Sequence, residues 1–332
     1  MAEPSSIAAG GAGLLSVVIP VYFNEENIPV TWPAVRDALR DLPAGMEWEL
    51  VFVDDGSGDR SFDRLIDVQR ASPANVRVVR LTRNFGQVAA TLAGLSLARG
   101  DCAVVTTADL QDPPELIPEM VRRWRGGACK IVLAERTGRD EGPIRRWGST
   151  LFYRLMRRYA IPNMPAGGFD YFLIDRRVVD LLNRVEERNS FLQGQILWTG
   201  FMPEVIPYTR RRRELGRSRW TLSRKMRYFI DGFVTYSLAP IRLITAVGFV
   251  MSALSFTYAV VILLAKLFWE VPVKGWAPIM ITVLLLSGVQ LVMLGIIGEY
   301  LWRSYHETRR LPNFVIDSVI EAAPAADHPV AH

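Results

Sequence analysis

The sequence predicts an α/β protein: a doubly wound, mostly parallel sheet, followed by juxtamembrane helices and a two-helix transmembrane hairpin. Three observations predict it. Short apolar runs alternate with longer helical patterns over the first 200 residues, polar residues gather where those runs end, and two long uncharged stretches follow.

The elements are justified in chain order. Residues 1–13 lack a basic start followed by an apolar core, so they read as a disordered leader and not a signal peptide. LLSVVIPV (Leu14 to Val21), WELVFVDD (Trp48 to Asp55), VRVVRLT (Val76 to Thr82), CAVVTTAD (Cys102 to Asp109) and KIVLAE (Lys130 to Glu135) are the candidate strands. Between them lie amphipathic or Ala-rich segments such as FGQVAATLAGLSLARG, which ends on Gly100 where a helix should stop. Such alternation places a ligand at the carboxyl ends of the strands. There the polar residues fall: strand one leads into YFNEEN, strand two ends in Asp54 and Asp55, strand three in RNFG, and strand four in TTADLQDPPE, Thr106 to Glu115.

An acidic strand end is either a solvated loop cap or the seat of a cation, because clustered carboxylates repel one another and resist desolvation. Asp54, Asp55, Asp109 and Gln111 around one crevice suit a nucleotide diphosphate carried with a divalent ion, which takes one or two carboxylates plus phosphate oxygens and water. Asp109 and Gln111 point the same way if the chain is extended there, and Pro113 with Pro114 stops the strand. DDGSGD, Asp54 to Asp59, is neither G-x-G-x-x-G nor a Walker sequence, which argues against a dehydrogenase or an ATPase.

Histidine narrows the chemistry further. The three histidines, His306, His328 and His332, all follow the uncharged stretches, so a Ser/His/Asp triad, a Cys/His pair and a typical zinc site are excluded from the first 240 residues. Cys102 and Cys129 are the only cysteines and read as reduced core residues.

Leu243 to Ala265 runs 23 residues without a charge and Ala277 to Gly298 runs 22, each enough to cross ~30 Å of hydrocarbon. The connection, Phe268 to Trp276, carries only Glu270 and Lys274, whereas Arg210 to Arg227 holds nine Lys/Arg and Arg303, Arg309 and Arg310 follow the second stretch. By the positive-inside rule both flanks are cytoplasmic. The expected arrangement is a multi-pass protein of the inner (cytoplasmic) membrane with both termini inside. Its domains are a catalytic domain at 14–209, a basic loop and amphipathic helices at 210–240, spans at 241–268 and 277–298, and a C-terminal segment and tail at 299–332. The net charge of +5 comes largely from the arginine cluster, which suits anionic head groups or phosphates and not nucleic acid. LPNFVIDSVI after the second span is a strand candidate for pairing with a neighbouring subunit, making a homo-oligomer an expectation, and EAAPAADHPVAH reads as a disordered tail.

SVVIPVYFNEENI, VFVDDGSGD, LTRNFGQ and ADLQDPPELIP together resemble the successive signatures of inverting family 2 nucleotide-sugar glycosyltransferases of the GT-A fold. GGFDYFLIDRRVVD, FLQGQILWTGF, RRRELGRSRW and GIIGEYLWRSYHETRRLP extend the likeness to about Pro312 and are similar to the polyprenyl-phosphate branch, which includes bactoprenol glucosyltransferases and dolichol-phosphate mannose synthases. The resemblance implies roles residue by residue. Pro20, Tyr22 and Glu25, with Asp54 and Asp55, would hold base and ribose, while Asp109 and Gln111 would hold Mg2+ or Mn2+ on the diphosphate. Asp170 would act at the acceptor, Arg136 and Arg146 would meet the lipid phosphate, and Arg210, Arg213, Ser218 and Arg219 belong to a loop that would close over the diphosphate.

Three positions depart from the family pattern: Thr107 replaces the first aspartate of Asp-x-Asp-x-Gln, Phe172 stands where many relatives have arginine, and Arg219 replaces a lysine. The implied activity is transfer of a hexose from UDP-glucose to undecaprenyl phosphate with inversion. Two alternatives are a GDP-mannose-using polyprenyl-phosphate mannose synthase and a membrane-anchored nucleotide-sugar-binding protein without catalysis. A processive polysaccharide synthase is disfavoured, because Gly216 stands where its Q-x-x-R-W motif needs glutamine.

Overall fold

A strand covered on both faces has no reason to alternate polar with apolar residues, and the first strands of this chain do not. β1 (Gly13–Val21), β3 (Val76–Leu81) and β4 (Cys102–Val105) are buried almost throughout, and β2 (Met46–Asp54) from Glu49 onward. β5 (Ile131–Arg136), β6 (Tyr171–Asp175), β7 (Pro203–Tyr208) and β8 (Ile316–Ile320) complete one sheet in the order β7-β5-β6-β4-β1-β2-β3-β8. The computed structural model describes residues 13–137, 154, 156–158, 161–165, 168–185, 191–211, 239–268, 275–308 and 311–322. Residues 1–12 of the leader, whose last residue Gly13 opens β1, residues 323–332 of the tail, Arg146, Arg213, Ser218, Arg219 and most of the basic segment at 210–240 lie outside the described residues.

Parallel pairing joins β1 to β2 and β4, β2 to β3, and β5 to β7. β6 runs antiparallel between β4 and β5, and β8 runs antiparallel on β3, so the sheet is mixed. Alternate side chains of the parallel strands face opposite layers. Leu15, Val17, Ile19, Leu50, Phe52 and Val104 pack in one cluster with residues of α1 (Ile28–Ala38), α2 (Ser61–Ala71) and α4 (Ile117–Arg125). On the other face, α3 (Gln87–Leu97) approaches so closely that a Cβ on Gly94 would meet Val18 Cγ1 at 2.3 Å, and α5 (Arg176–Asn183) packs beside it. α6 (Leu192–Trp198) follows α5 and leads into β7.

Two expectations need correction. The strand foreseen from Cys102 to Asp109 stops at Val105, because residues beyond it turn, with Leu110 at φ 53°. Asp109 and Gln111 are therefore not neighbours along one face of an extended strand. The second concerns LPNFVIDSVI, expected as a strand for a neighbouring subunit: within this chain β8 pairs with β3, Val79 opposite Val319. β8 thereby covers an edge that would otherwise offer unpaired backbone groups.

That edge is clasped by charge. Arg77, on β3, is 1 % exposed; its guanidinium donates to the Leu97 carbonyl at the end of α3 and to Glu321 Oε2 at 2.9 Å, with Glu49 Oε2 3.7 Å away. A guanidinium at a helix C-terminus satisfies an orphan carbonyl and complements the helix dipole. Loss of Arg77 leaves the nearly buried Glu49 without its counter-charge, whereas half-exposed Glu321 is met by water, so Arg77→Ala is expected to cost about 3 kcal/mol, the low end for a broken buried pair. Thermal unfolding in detergent checks this, and a loss smaller than that of an exposed Arg70→Ala control would contradict it.

Two compact units make up the chain, Met1–Thr235 with Pro312–His332, and Tyr236–Leu311. The second consists of α7 (Ala239–Phe268) and α8 (Trp276–Thr308), which pack on each other. Both are long and apolar enough to cross a membrane, over Ile244–Ile262 and Leu285–Trp302, and neither window is buried within the protein. α8 continues past the expected end of the span at Gly298 to carry Glu299 and Arg303.

Candidate active site

The carboxyl ends of β1 to β4 meet in a set of loops that hold one another by side-chain to backbone bonds. Pro20 near the end of β1 and Tyr22 and Glu25 after it are half-buried, and the loop is tied to the turn after β2: Phe23 N–H donates to Ser57 Oγ at 3.0 Å, and Arg60 N–H to Glu25 Oε2 at 3.0 Å. Gly56, at φ 65°, lies so close to Arg83 that a Cβ would stand 2.5 Å from its carbonyl carbon. Only glycine fits that contact.

Asp54 and Asp55 are both buried. Burial raises the pKa of Asp54, whose carboxylate accepts from Ser57 N–H at 3.3 Å. Burial likewise pushes Asp55 up to about 6, against the bonds from the Phe85 and Gly86 amides at 2.7 and 2.9 Å. Asn84 Nδ2 adds a third donor at 2.9 Å. Asp55 thus spends its oxygens on the RNFG loop and fixes its shape. Asp55→Ala is expected to lower stability by about 3 kcal/mol, since buried amides lose their acceptor. An unfolding midpoint unchanged from wild type would refute it.

The loop after β4 is pinned from several sides. Thr31 Oγ1 donates to the Ala108 carbonyl at 2.8 Å, and Tyr171 Oη to that of Pro113 at 3.1 Å. Asp109 is half-buried; its Oδ1 lies 2.8 Å from Thr107 Oγ1 and 3.3 Å from Gln111 N. Gln111 pairs with the start of the basic segment, accepting from Arg211 N–H at 2.9 Å, while Arg211 reaches Glu115 at 3.2 Å. Arg210 Nε sits 3.6 Å from Asp112 Oδ1.

Asp170, just before β6, and Arg136, at the end of β5, form an ion pair, and Gln193 Nε2 of α6 donates to Asp170 Oδ1 at 2.9 Å. Burial would raise the Asp170 pKa, but the charges of Arg136 and Arg210 with the bonds from Arg136 and Gln193 outweigh it and hold the carboxyl below its ordinary range. Arg136 Nε also donates to Tyr208 Oη at 3.3 Å, and Tyr208 donates to Asp112 Oδ1 at 2.5 Å. The expected acceptor residues and the end of the acidic loop therefore share one network. Phe172, where the family pattern has arginine, is buried against Phe169 with ring centroids 5.8 Å apart.

Sequence reasoning passed over Asp112, Tyr208 and Gln193. Asp112 and Gln193 stand inside stretches already singled out, one residue after Gln111 and within FLQGQILWTGF, whereas nothing in β7 marks Tyr208.

Among the described residues no three His, Cys, Asp or Glu side chains converge to hold a metal by themselves. One half-exposed carboxylate, Asp109, on a loop whose next residues Gln111 and Asp112 meet Arg211 and Arg210, instead fits a hard cation completed by phosphate oxygens.

The family model for glycosyl transferase family 2 matches residues 16–183, a span from β1 to the end of α5. The chain belongs to glycosyl transferase family 2. Among its relatives, the bactoprenol glucosyl transferase of Shigella phage SfV is 34% identical over 91% of this chain and 97% of its own. The prophage bactoprenol glucosyl transferase homolog of Escherichia coli (strain K12) is 32% identical over 92% of this chain and 99% of its own. The glycosyltransferase YkcC of Bacillus subtilis (strain 168) is 36% identical over 91% and 92%. Of solved structures, the mannosyltransferase PcManGT from Pyrobaculum calidifontis, in complex with GDP-Man and Mn2+, is 17% identical over 90% of this chain and 91% of that one, with a TM-score of 0.47.

Proposed function

We propose that this family 2 enzyme transfers glucose from UDP-glucose to undecaprenyl phosphate at the cytoplasmic face of the inner membrane, with inversion at the anomeric carbon. The observation that carries the reading is the pairing of two half-sites in one sheet: a cation-ready acidic loop after β4 and an Asp170–Arg136 ion pair beside it. Likeness to bactoprenol glucosyl transferases over nine-tenths of the chain supports the donor sugar and the acceptor class. α7 and α8, exposed and apolar, support membrane insertion as a hairpin whose basic flanks face the cytoplasm.

Asp109 and Gln111 are the residues that would hold Mg2+ or Mn2+, and the ion when bound stabilises negative charge on the departing diphosphate. Pro20, Tyr22 and Glu25, with the loops fixed by Asp54 and Asp55, frame the nucleotide. Arg210, Arg213 and Arg219 would add positive charge over the diphosphate, and Ser218 a hydroxyl donor. On the acceptor side the nucleophile needs little activation, because a phosphate monoester with a second pKa of ~6 is mostly dianionic near neutrality. Asp170, held below its ordinary range, is a poor base. Its work is to orient Arg136, which with Arg146 meets the lipid phosphate. Attack on the face opposite the diphosphate turns an α donor into a β-linked product.

The test is incubation of the purified protein with radiolabelled UDP-glucose or GDP-mannose and undecaprenyl phosphate, scored by label entering organic solvent. Label from UDP-glucose alone is expected. Label from GDP-mannose alone would replace the donor assignment with the mannose synthase reading, and none from either, with nucleotide still bound, would indicate a binding protein.

A further inference from the structure

Asp112 has no part in the reaction as described, yet its side chain has no exposed surface. A buried carboxylate persists only where its lone pairs are matched. Tyr208 donates to Oδ1 at 2.5 Å, Thr107 Oγ1 lies 3.0 Å from Oδ2, and Arg210 Nε is at ion-pair distance, 3.6 Å. Each neighbour leads onward. Thr107 Oγ1 is also 2.8 Å from Asp109 Oδ1, while Tyr208 Oη accepts from Arg136, which holds Asp170. The path Asp109, Thr107, Asp112, Tyr208, Arg136, Asp170 is unbroken.

Thr107 decides how this path behaves. A hydroxyl has one hydrogen, so it donates to Asp109 or to Asp112 but not to both. With Asp109 neutralised by a cation, the better acceptor is Asp112. An aspartate at position 107, as in the family pattern, could not donate in this way when ionised. The charge on Asp112 in turn sets how firmly Tyr208, and behind it Arg136, is held.

We infer that Asp112 is a positioning residue shared by the two half-sites: through Thr107 it sets Asp109 for the donor, and through Tyr208 and Arg136 it sets Asp170 for the lipid phosphate, so the two occupancies are coupled. This rests on the assignment of donor and acceptor sides given above. The competing account is architectural, since Tyr171 Oη pins Pro113 from the next position. Architecture alone would lower the melting temperature of Asp112 variants and leave both affinities and their coupling intact. Coupling between binding sites is reciprocal, so it can be read from either side.

The experiment uses the full chain in detergent. Mn2+ with UDP is titrated by calorimetry, and undecaprenyl phosphate by tryptophan fluorescence, in EDTA and again with saturating Mn2+ and UDP. In the wild type, Mn2+ and UDP should tighten lipid binding by about fivefold or more. Tyr208→Phe keeps the ring packed against Tyr171, 6.1 Å centroid to centroid, and breaks the path. It should weaken lipid binding in EDTA, leave Mn2+ and UDP binding unchanged and abolish the tightening. Thr107→Val should do the reverse to the two affinities and also abolish the tightening. Asp112→Asn should weaken both, and Asp112→Asn with Tyr208→Phe should bind lipid no worse than Asp112→Asn alone. A tightening preserved in Tyr208→Phe, or additive losses in the double variant, would overturn the inference. A wild type that binds Mn2+ and UDP but no lipid phosphate would remove the acceptor assignment itself, and the inference with it.

Discussion

Asp109→Ala is expected to lower transfer by roughly a thousandfold or more at any attainable Mg2+ or Mn2+ concentration, while the protein remains folded. The size follows from charge. On the proposed reading Asp109 supplies the protein's carboxylate to the cation, and among the described residues no cluster of three His, Cys, Asp or Glu side chains stands ready to compensate. Water can replace a ligand's oxygen but not its charge. Losing a group that stabilises the leaving oxygen costs roughly 10²–10³ in rate by itself, and here the diphosphate loses its counter-charge as well. Asp109 is half-buried at a turn and its bonds to Thr107 and Gln111 are local, so melting in detergent should shift little. The check is the organic-partition assay over a Mn2+ titration, with EDTA as a parallel arm. Full activity of the variant, or of the wild type in EDTA, would remove the cation from the account.

The fold was legible where burial on both faces wrote itself into the chain. SVVIPV and ELVFVD have no alternation because α-helices cover each side, and the loops that make up the candidate site stand at the carboxyl ends of these runs. β7 was illegible for a physical reason: it is an edge strand, so it tolerates Pro203 and Pro207, which in a sequence argue against a strand. β8 was read as a strand, but no pattern within it says that its partner is β3, some 240 residues earlier; nor does the sequence show that Arg77 meets Glu321, 244 residues on. The site divides the same way. Asp109, Gln111 and Asp170 stand in motifs, whereas the bond from Tyr208 to Asp112 spans 96 residues and connects groups that carry no motif of their own. Asp54 and Asp55 were found for their charge, yet Asp55 serves by organising amides, a role visible only once RNFG folds over it.

Asp170→Asn is expected to lower the turnover number by about a hundredfold while changing Mn2+ and UDP affinity by less than about twofold, a loss of transition-state interaction and not of donor binding. Asparagine fills the same space and still accepts from Gln193, but it leaves Arg136, with a side chain only 15% exposed, without its counter-charge. An unpaired guanidinium beside Tyr208 is free to swing toward whatever anion is near, so the lipid phosphate is still attracted but no longer aimed. Arg136→Ala should differ, raising the apparent KM for lipid phosphate more than it lowers turnover. The pH profile separates the roles further. Because Asp170 titrates below its ordinary range, it stays ionised from pH 5.5 to 8 and cannot shape that interval. The acid limb should instead follow the lipid phosphate, whose second pKa is ~6, together with Asp55, pushed up to about 6 by burial, and should persist in Asp170→Asn. Calorimetry showing collapsed UDP binding in the variant would put Asp170 on the donor side. An acid limb that vanished with it would make the carboxylate a proton acceptor after all.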